Sequence, residues 1–256
     1  MSLPFVISLP HCEGIVPDYL LPSLLLNKDE VMEAVDMGTM ELFGAMPVRA
    51  VICAKVNRLV VDLNRGLHQR DVKGLIALTD YHGRPVYRHG MAPAHEEIQA
   101  RIERYYLPYH RLLEDTLRME DVAGLIDCHS LNGFGPPEAP DAGRKRKDLV
   151  LGNKGDSNGQ RRPGAGPLTC PEDIISALAS EFCKEGFSVS LNDPYPGGFI
   201  TTHYGRILRE KGKFAVQVEI NQDLYIARDR TGCDPQRLSD VRGRIEAALS
   251  RLAVLL

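Results

Sequence analysis

Short runs rich in Val, Ile, Leu and Phe alternate along the chain with longer stretches of helical period. The runs "FVISLP", "RAVICAKVNRLVVDLNR", "GLIALTD", "VAGLIDCHS", "DLVLGN", "FSVSLND" and "FAVQVEIN" read as strands. Helices are predicted from about Pro93 to Arg118, Pro171 to Gly186 and Asp234 to Leu255. Thr169 stands where a cap would precede the second helix, Pro171 falls in its first turn, and Gly186 follows its last. Pro108 should kink the first helix or divide it. This alternation predicts an α/β fold with helices on both faces of a sheet.

Residues 132–170 break the pattern. The stretch is rich in Gly, Pro and charge and carries only "DLVLG" as a strand-like run. Loops of this length in compact domains are commonly functional or disordered. Because it follows His129 directly, a lid over a site is the reading preferred here to a surface insertion.

Composition narrows the classes. A chain of 256 residues suits one large domain or two small ones, and residues 1–256 are read as a single domain. With 31 basic against 34 acidic residues the net charge is −3, so no global field favours nucleic acid or an anionic membrane. Small molecules are the expected partners, and self-association into a homo-oligomer is left open. No apolar run approaches the roughly 20 residues of a membrane span. The scattered cysteines form no CxxC pair, and "MSLPFVISLPHCEG" has neither a basic segment nor a long apolar one, so a reduced, cytoplasmic setting is expected.

Candidate chemistry gathers at the ends of apolar runs, in "SLPHCEG", "VVDLNRG", "LIDCHSLNG" and "VQVEINQDLY". In α/β sheets such ends converge on the ligand crevice. His11 and His129 are candidate metal ligands, since neutral imidazole suits zinc and a catalytic zinc keeps three protein ligands. A lone strand-end histidine is as readily a hydrogen-bonded structural residue. Glu219, flanked by apolar residues, is a candidate general base, with an ion pair to an arginine as the alternative. Arg65 offers a planar fork for a carboxylate, beside Asn64. Asp62 could equally bond Arg65 or Arg58.

The ordered set "PHCEG(x)2P", "DMGTMELF", "VVDLNR", "DCHS", "DLVLGNKGDS", "NDPYPGGFITTHYG" and "EINQDLY" resembles the N-formylglutamate amidohydrolase family over roughly His11 to Tyr225. The resemblance implies a zinc-carboxypeptidase-like fold, with a mixed central sheet flanked by helices. It implies one Zn2+ held by His11, His129 and a third ligand. In the carboxypeptidases a Glu follows the first His by three residues, but Gly14 occupies that place here. Asp36 of "DMGTMELF" is therefore preferred to Glu13, whose place is ordinarily small in the family. Cys12 is either a soft ligand or a packing residue. By the same resemblance Asn64 and Arg65 hold the substrate carboxylate, Arg58 steadies the oxyanion, Glu219 is the base, and His203 and Tyr225 lie near substrate. Asp127 is a candidate partner behind His129, and Ser130 lies beside the site.

The implied activity is hydrolysis of an acidic N-acyl amino acid, N-formyl-L-glutamate giving formate and glutamate. A metallopeptidase or another N-acyl amino acid deacylase on the same scaffold, and a non-catalytic binder of acidic small molecules, are the alternatives.

Overall fold

In the computed structural model, which describes residues 2–227, 229 and 232–256, the apolar runs assemble into one six-stranded mixed sheet. Its strands are β1 (Leu3–Leu9), β2 (Val48–Cys53), β3 (Gly124–Leu131), β4 (Leu149–Gly152), β5 (Val189–Leu191) and β6 (Phe214–Asn221), in the order β2-β1-β3-β6-β4-β5. β2, β1, β3 and β6 run parallel, and β4 turns antiparallel against β6. Every residue of β3 and β6 is buried, as expected of parallel strands covered on both faces.

Strand alternation sorts the two faces. Phe5, Ile7, Ile126, Cys128, Val216 and Val218 point into one core, against α2 (Thr39–Phe43), α5 (Glu172–Lys184) and α7 (Pro235–Leu255). Val6, Leu125 and Ala215 point into the other, with Tyr109 and Leu113 of α4 (Leu107–Leu117) and Tyr204 of α6 (Phe199–Arg209). Counting by twos from Leu125 and Ala215 puts His129 and Glu219 on this second face.

The helix predicted near residues 93–118 is continuous but not uniform. α3 (His95–Arg101) passes through a π-helical stretch, Ile102–Tyr106, into α4, with Pro108 in the first turn beyond. The wider turn accommodates a proline that cannot donate to the ladder. α5 begins as predicted, but its N-cap position is Pro171 and no side chain caps it. The Thr169 hydroxyl is buried with no hydrogen-bond partner among the described residues.

Two runs expected as strands are irregular. Past Cys53, Asn57 accepts from the Leu59 N–H and Asp62 from the Asn64 N–H, at 2.9 Å each, and Asp71 and Asp80 make the same kind of bond to Lys73 and His82. These local turns compete with a ladder, while Leu59, Val60, Val61, Leu63 and Leu75 are still buried in the core. α6 went unpredicted because Gly198 at its N-cap offers no side chain and the first turn carries two threonines. Its apolar positions, Ile200, Tyr204 and Leu208, do have helical spacing.

The segment 132–170 is built into the molecule. Arg146 makes a fork to Asp141 at 2.7 Å for both bonds, and the Asn153 and Asn192 side chains bond each other and the surrounding loop backbone. All six cysteines are free thiols. Among the described residues no helix is long and apolar enough to cross a membrane.

Candidate active site

The ends of β1 and β3, the stretch after α1 (Lys28–Met32) and the turn at residues 62–65 bring four of the expected site residues together. His11 lies two residues past β1, and its carbonyl accepts the Asp36 N–H at 2.9 Å, so the backbone itself fixes Asp36 beside it. One carboxylate oxygen of Asp36, Oδ2, lies 2.9 Å from His129 Nδ1 and 3.4 Å from His11 Nδ1. His11, Asp36 and His129 each offer an atom within 4.8 Å of the others, all three residues buried. Among the described residues His11 Nδ1 has no hydrogen-bond partner. A buried nitrogen without a partner is costly, and this one faces a second imidazole nitrogen and a carboxylate, the donor set that suits a divalent metal ion.

The far side of each imidazole is held as well. His11 Nε2 meets Asp62 Oδ1 at 2.8 Å, and Asp62 Oδ2 accepts from Arg58 Nη2 at 2.8 Å. His129 Nε2 lies 3.1 Å from the Asn64 amide nitrogen and 3.4 Å from Asp127. Asp127 in turn accepts from the Ser8 and Thr201 hydroxyls at 2.9 Å each. Partners of this kind fix the orientation and basicity of metal-binding histidines.

Charge follows this architecture. Burial acts to raise the Asp36 carboxyl, but the two imidazoles beside it, His11 and His129, outweigh it and hold the pKa low. Burial acts to lower His129, but the charges of Asp127 and Glu219 and bonds to Asp127 and Asp36 raise it well above its ordinary value. Asp62 is lowered against burial by Arg58, His11 and Arg65. Glu219 shifts the other way. Burial first, with Asp36 and Asp127 adding to it against His129 and Arg146, pushes it up to about 7. Its Oε1 accepts from Gln217 Nε2 at 2.8 Å, two residues back on the same strand face.

These groups line a cavity of about 380 Å³ that also takes in Arg58, Arg65, Arg146, Tyr195 and Gln217. Arg65 spends Nε on the Lys73 carbonyl and Nη1 on that of Asn64; its Nη2 has no hydrogen-bond partner among the described residues. The first part of the segment expected as a lid, through Asn132, Pro136, Glu138 and Arg146, forms one wall.

Asn64 lines the cavity, its Nδ2 lying 3.1 Å from His129 Nε2 and its Oδ1 accepting the Ile200 N–H at 2.8 Å. A Cβ at residue 198 would overlap that amide, so Gly198 is required for the approach. Tyr225 is fully buried behind the site, its hydroxyl donating to the Met37 carbonyl at 2.8 Å. Gly38, at φ 82°, leaves room for the Tyr225 ring, and the two together set the backbone that carries Asp36. His203 lines a different recess, stacked on Phe199. Glu13 turns back onto the N–H groups of Gly14 and Ile15, and Cys12 donates to the Leu9 carbonyl. Gln217, Arg146 and Tyr195 went unassigned in the sequence. Of these, only Gln217 had a signal, its two-residue spacing from Glu219.

Residues 3–226 match the sequence profile of N-formylglutamate amidohydrolase. The chain belongs to the N-formylglutamate amidohydrolase family. Two N-formylglutamate deformylases are among its relatives. That of Pseudomonas putida is 30% identical over 237 residues, covering 88% of this chain and 82% of the relative. That of Pseudomonas aeruginosa is 34% identical over 188 residues, covering 69% of this chain. The match spans 64% of that relative's length, just under two thirds. The crystal structure of an N-formylglutamate amidohydrolase from Ralstonia eutropha superposes with a TM-score of 0.79 at 22% identity, covering 99% of this chain and 94% of that one. A gene product of Agrobacterium tumefaciens gives 0.70 at 17% identity, covering 99% and 91%. Both share the fold seen here.

Proposed function

We propose that the chain hydrolyses the amide bond of N-formyl-L-glutamate to formate and L-glutamate, using one divalent metal ion, zinc, held by His11, Asp36 and His129. The observation that carries the reading is the convergence of His11 Nδ1, His129 Nδ1 and Asp36 Oδ2 in a cavity that also holds the buried Glu219 carboxyl and three arginines. Names of the relatives supply the substrate; the donor set supplies the metal.

When bound there, zinc supplies Lewis acidity that polarises the formyl oxygen and acidifies a water molecule. The protein's own groups do the rest. Glu219 accepts the proton of the attacking water and delivers it to the leaving nitrogen as the C–N bond breaks, the new C–O bond ending in formate. A carboxyl with a pKa near 7 is matched to both halves of that transfer. Arg58 meets the charge developing on the oxyanion while Asp62 holds its position. Arg65 grips a substrate carboxylate through its unspent nitrogen and sets the amide in place. Asn64, through His129, serves the metal side of the site. The wall formed by residues 132–146 acts as a lid that excludes bulk water.

The test is formate release from N-formyl-L-glutamate beside N-acetyl, N-succinyl and dipeptide analogues. Preference for the formyl compound supports the assignment; faster turnover of a bulkier acyl group or a peptide overturns it in favour of a deacylase or a peptidase.

A further inference from the structure

A second recess of about 440 Å³ opens on the other side of residues 196–199, away from His11 and His129. Phe199 and Pro167 give it an apolar body, and Lys154, His203 and Arg206 bring nitrogen donors to it. Among the described residues no acidic one lines it. Among the described residues neither Lys154 nor Arg206 has an ion-pair partner, and the Lys154 ammonium touches only the Gly197 carbonyl, at 3.5 Å. Lys154 also holds a left-handed backbone, φ 66°, that side chains rarely adopt. Burial and the charge of Arg162 lower its pKa, as expected of a half-buried ammonium without a counter-charge.

Thr169 lines the recess, and among the described residues its buried hydroxyl has no hydrogen-bond partner. The His203 ring stacks on Phe199 with centroids 5.1 Å apart and planes at 18°, forming a flat platform at the wall. We infer that this recess binds a small organic monocarboxylate with a flat apolar body, its carboxylate between Lys154 and Arg206 and its ring against the Phe199–His203 pair. Cations on an apolar recess are the arrangement that recognises such an anion.

The recess is joined to the candidate active site. The Lys154 N–H donates to the Pro196 carbonyl at 2.7 Å, and Pro196, Gly197 and Gly198 line the first cavity. An anion that draws the Lys154 ammonium from Gly197 therefore acts on the wall facing the substrate.

Benzoate is a suitable probe, with neutral benzamide as its control, measured by calorimetry on the full chain with excess L-glutamate present. The expected result is saturable benzoate binding, weakened about tenfold or more by Arg206→Glu on the exposed face of α6 and weaker to the same degree for benzamide. No saturable binding, equal binding of benzamide, or binding unaffected by Arg206→Glu each overturns the inference. None of these readouts requires turnover, so they stand or fall apart from the proposed hydrolysis. If turnover is found, the coupling predicts that benzoate changes the KM for N-formyl-L-glutamate in the wild type but not in Arg206→Glu; an unchanged KM in the wild type contradicts the coupling.

Discussion

His129 and Glu219 face each other across neighbouring parallel strands, residue 129 of β3 paired with residue 219 of β6. Side chains at such a pair leave the same face of the sheet a few ångströms apart. The backbone register therefore sets His129, the proposed metal ligand, and Glu219, the proposed base, side by side, with no adjustment needed from a mobile loop. It also explains the raised pKa of Glu219, since the position that brings it to His129 removes it from water.

Glu219→Gln keeps the shape and the bond to Gln217 but cannot accept a proton. Formate release should fall by about 10²–10⁴-fold, the usual worth of a positioned acid–base group. Zinc content measured by atomic emission should match the wild type. Undiminished turnover would remove Glu219 from the chemistry.

Asp62→Asn tests the support behind His11. Asp62 joins His11 Nε2 to Arg58, and loss of its charge should weaken metal affinity by about 10–100-fold. Competition with a chromophoric chelator measures this directly, and an unchanged affinity would show that His11 needs no such partner.

Tyr225→Phe separates support from substrate contact. Its hydroxyl bonds the Met37 carbonyl next to Asp36, and the ring fills the space that Gly38 leaves. A stability loss of about 1 kcal/mol and weaker metal binding are expected, with KM unchanged for protein saturated with zinc. A raised KM at full metal occupancy would return Tyr225 to the substrate.

Much of the site was legible because its residues end apolar runs: His11, His129 and Glu219 stand near the ends of β1, β3 and β6. What hid the rest was the use of side chains by the backbone. Asn64 looks like a ligand-binding residue at the end of a strand, but the run "VNRLVVDLNR" is a series of turns beyond Cys53, and the Asn64 amide meets Ile200 and His129. Asp62, read as a partner of Arg58 or Arg65, bonds Arg58 and also His11. Tyr225 and His203 sit in family motifs, yet motif membership does not distinguish a residue that touches ligand from one that fixes the backbone behind it. The parallel core strands were readable from their continuous apolar runs. α6, with threonines in its first turn and no cap, was not.

Acid stability should report on His110. Its Nε2 meets the Leu63 carbonyl at 3.0 Å and its Nδ1 the Tyr204 hydroxyl at 2.9 Å, anchoring the turn that bears Asn64 and Arg65. Burial pushes its pKa down from 6.5 to about 4, so the fold favours the neutral ring. Its contribution is complete above about pH 6.5 and is lost as pH falls towards 4, because the unfolded chain binds the proton first. The loss amounts to about 3 kcal/mol. In urea titrations His110→Gln should lose about that much less stability than the wild type between these two pH values. Equal losses in both proteins would place the acid sensitivity elsewhere.

The most direct test is formate release from N-formyl-L-glutamate by one preparation, assayed as purified, after chelation and dialysis, and after addition of one equivalent of zinc. Turnover that disappears with the metal and returns with zinc in the wild type, but does not return in Asp36→Ala, is the predicted result. Full turnover by the chelated protein would contradict a metal-dependent hydrolase built on His11, Asp36 and His129.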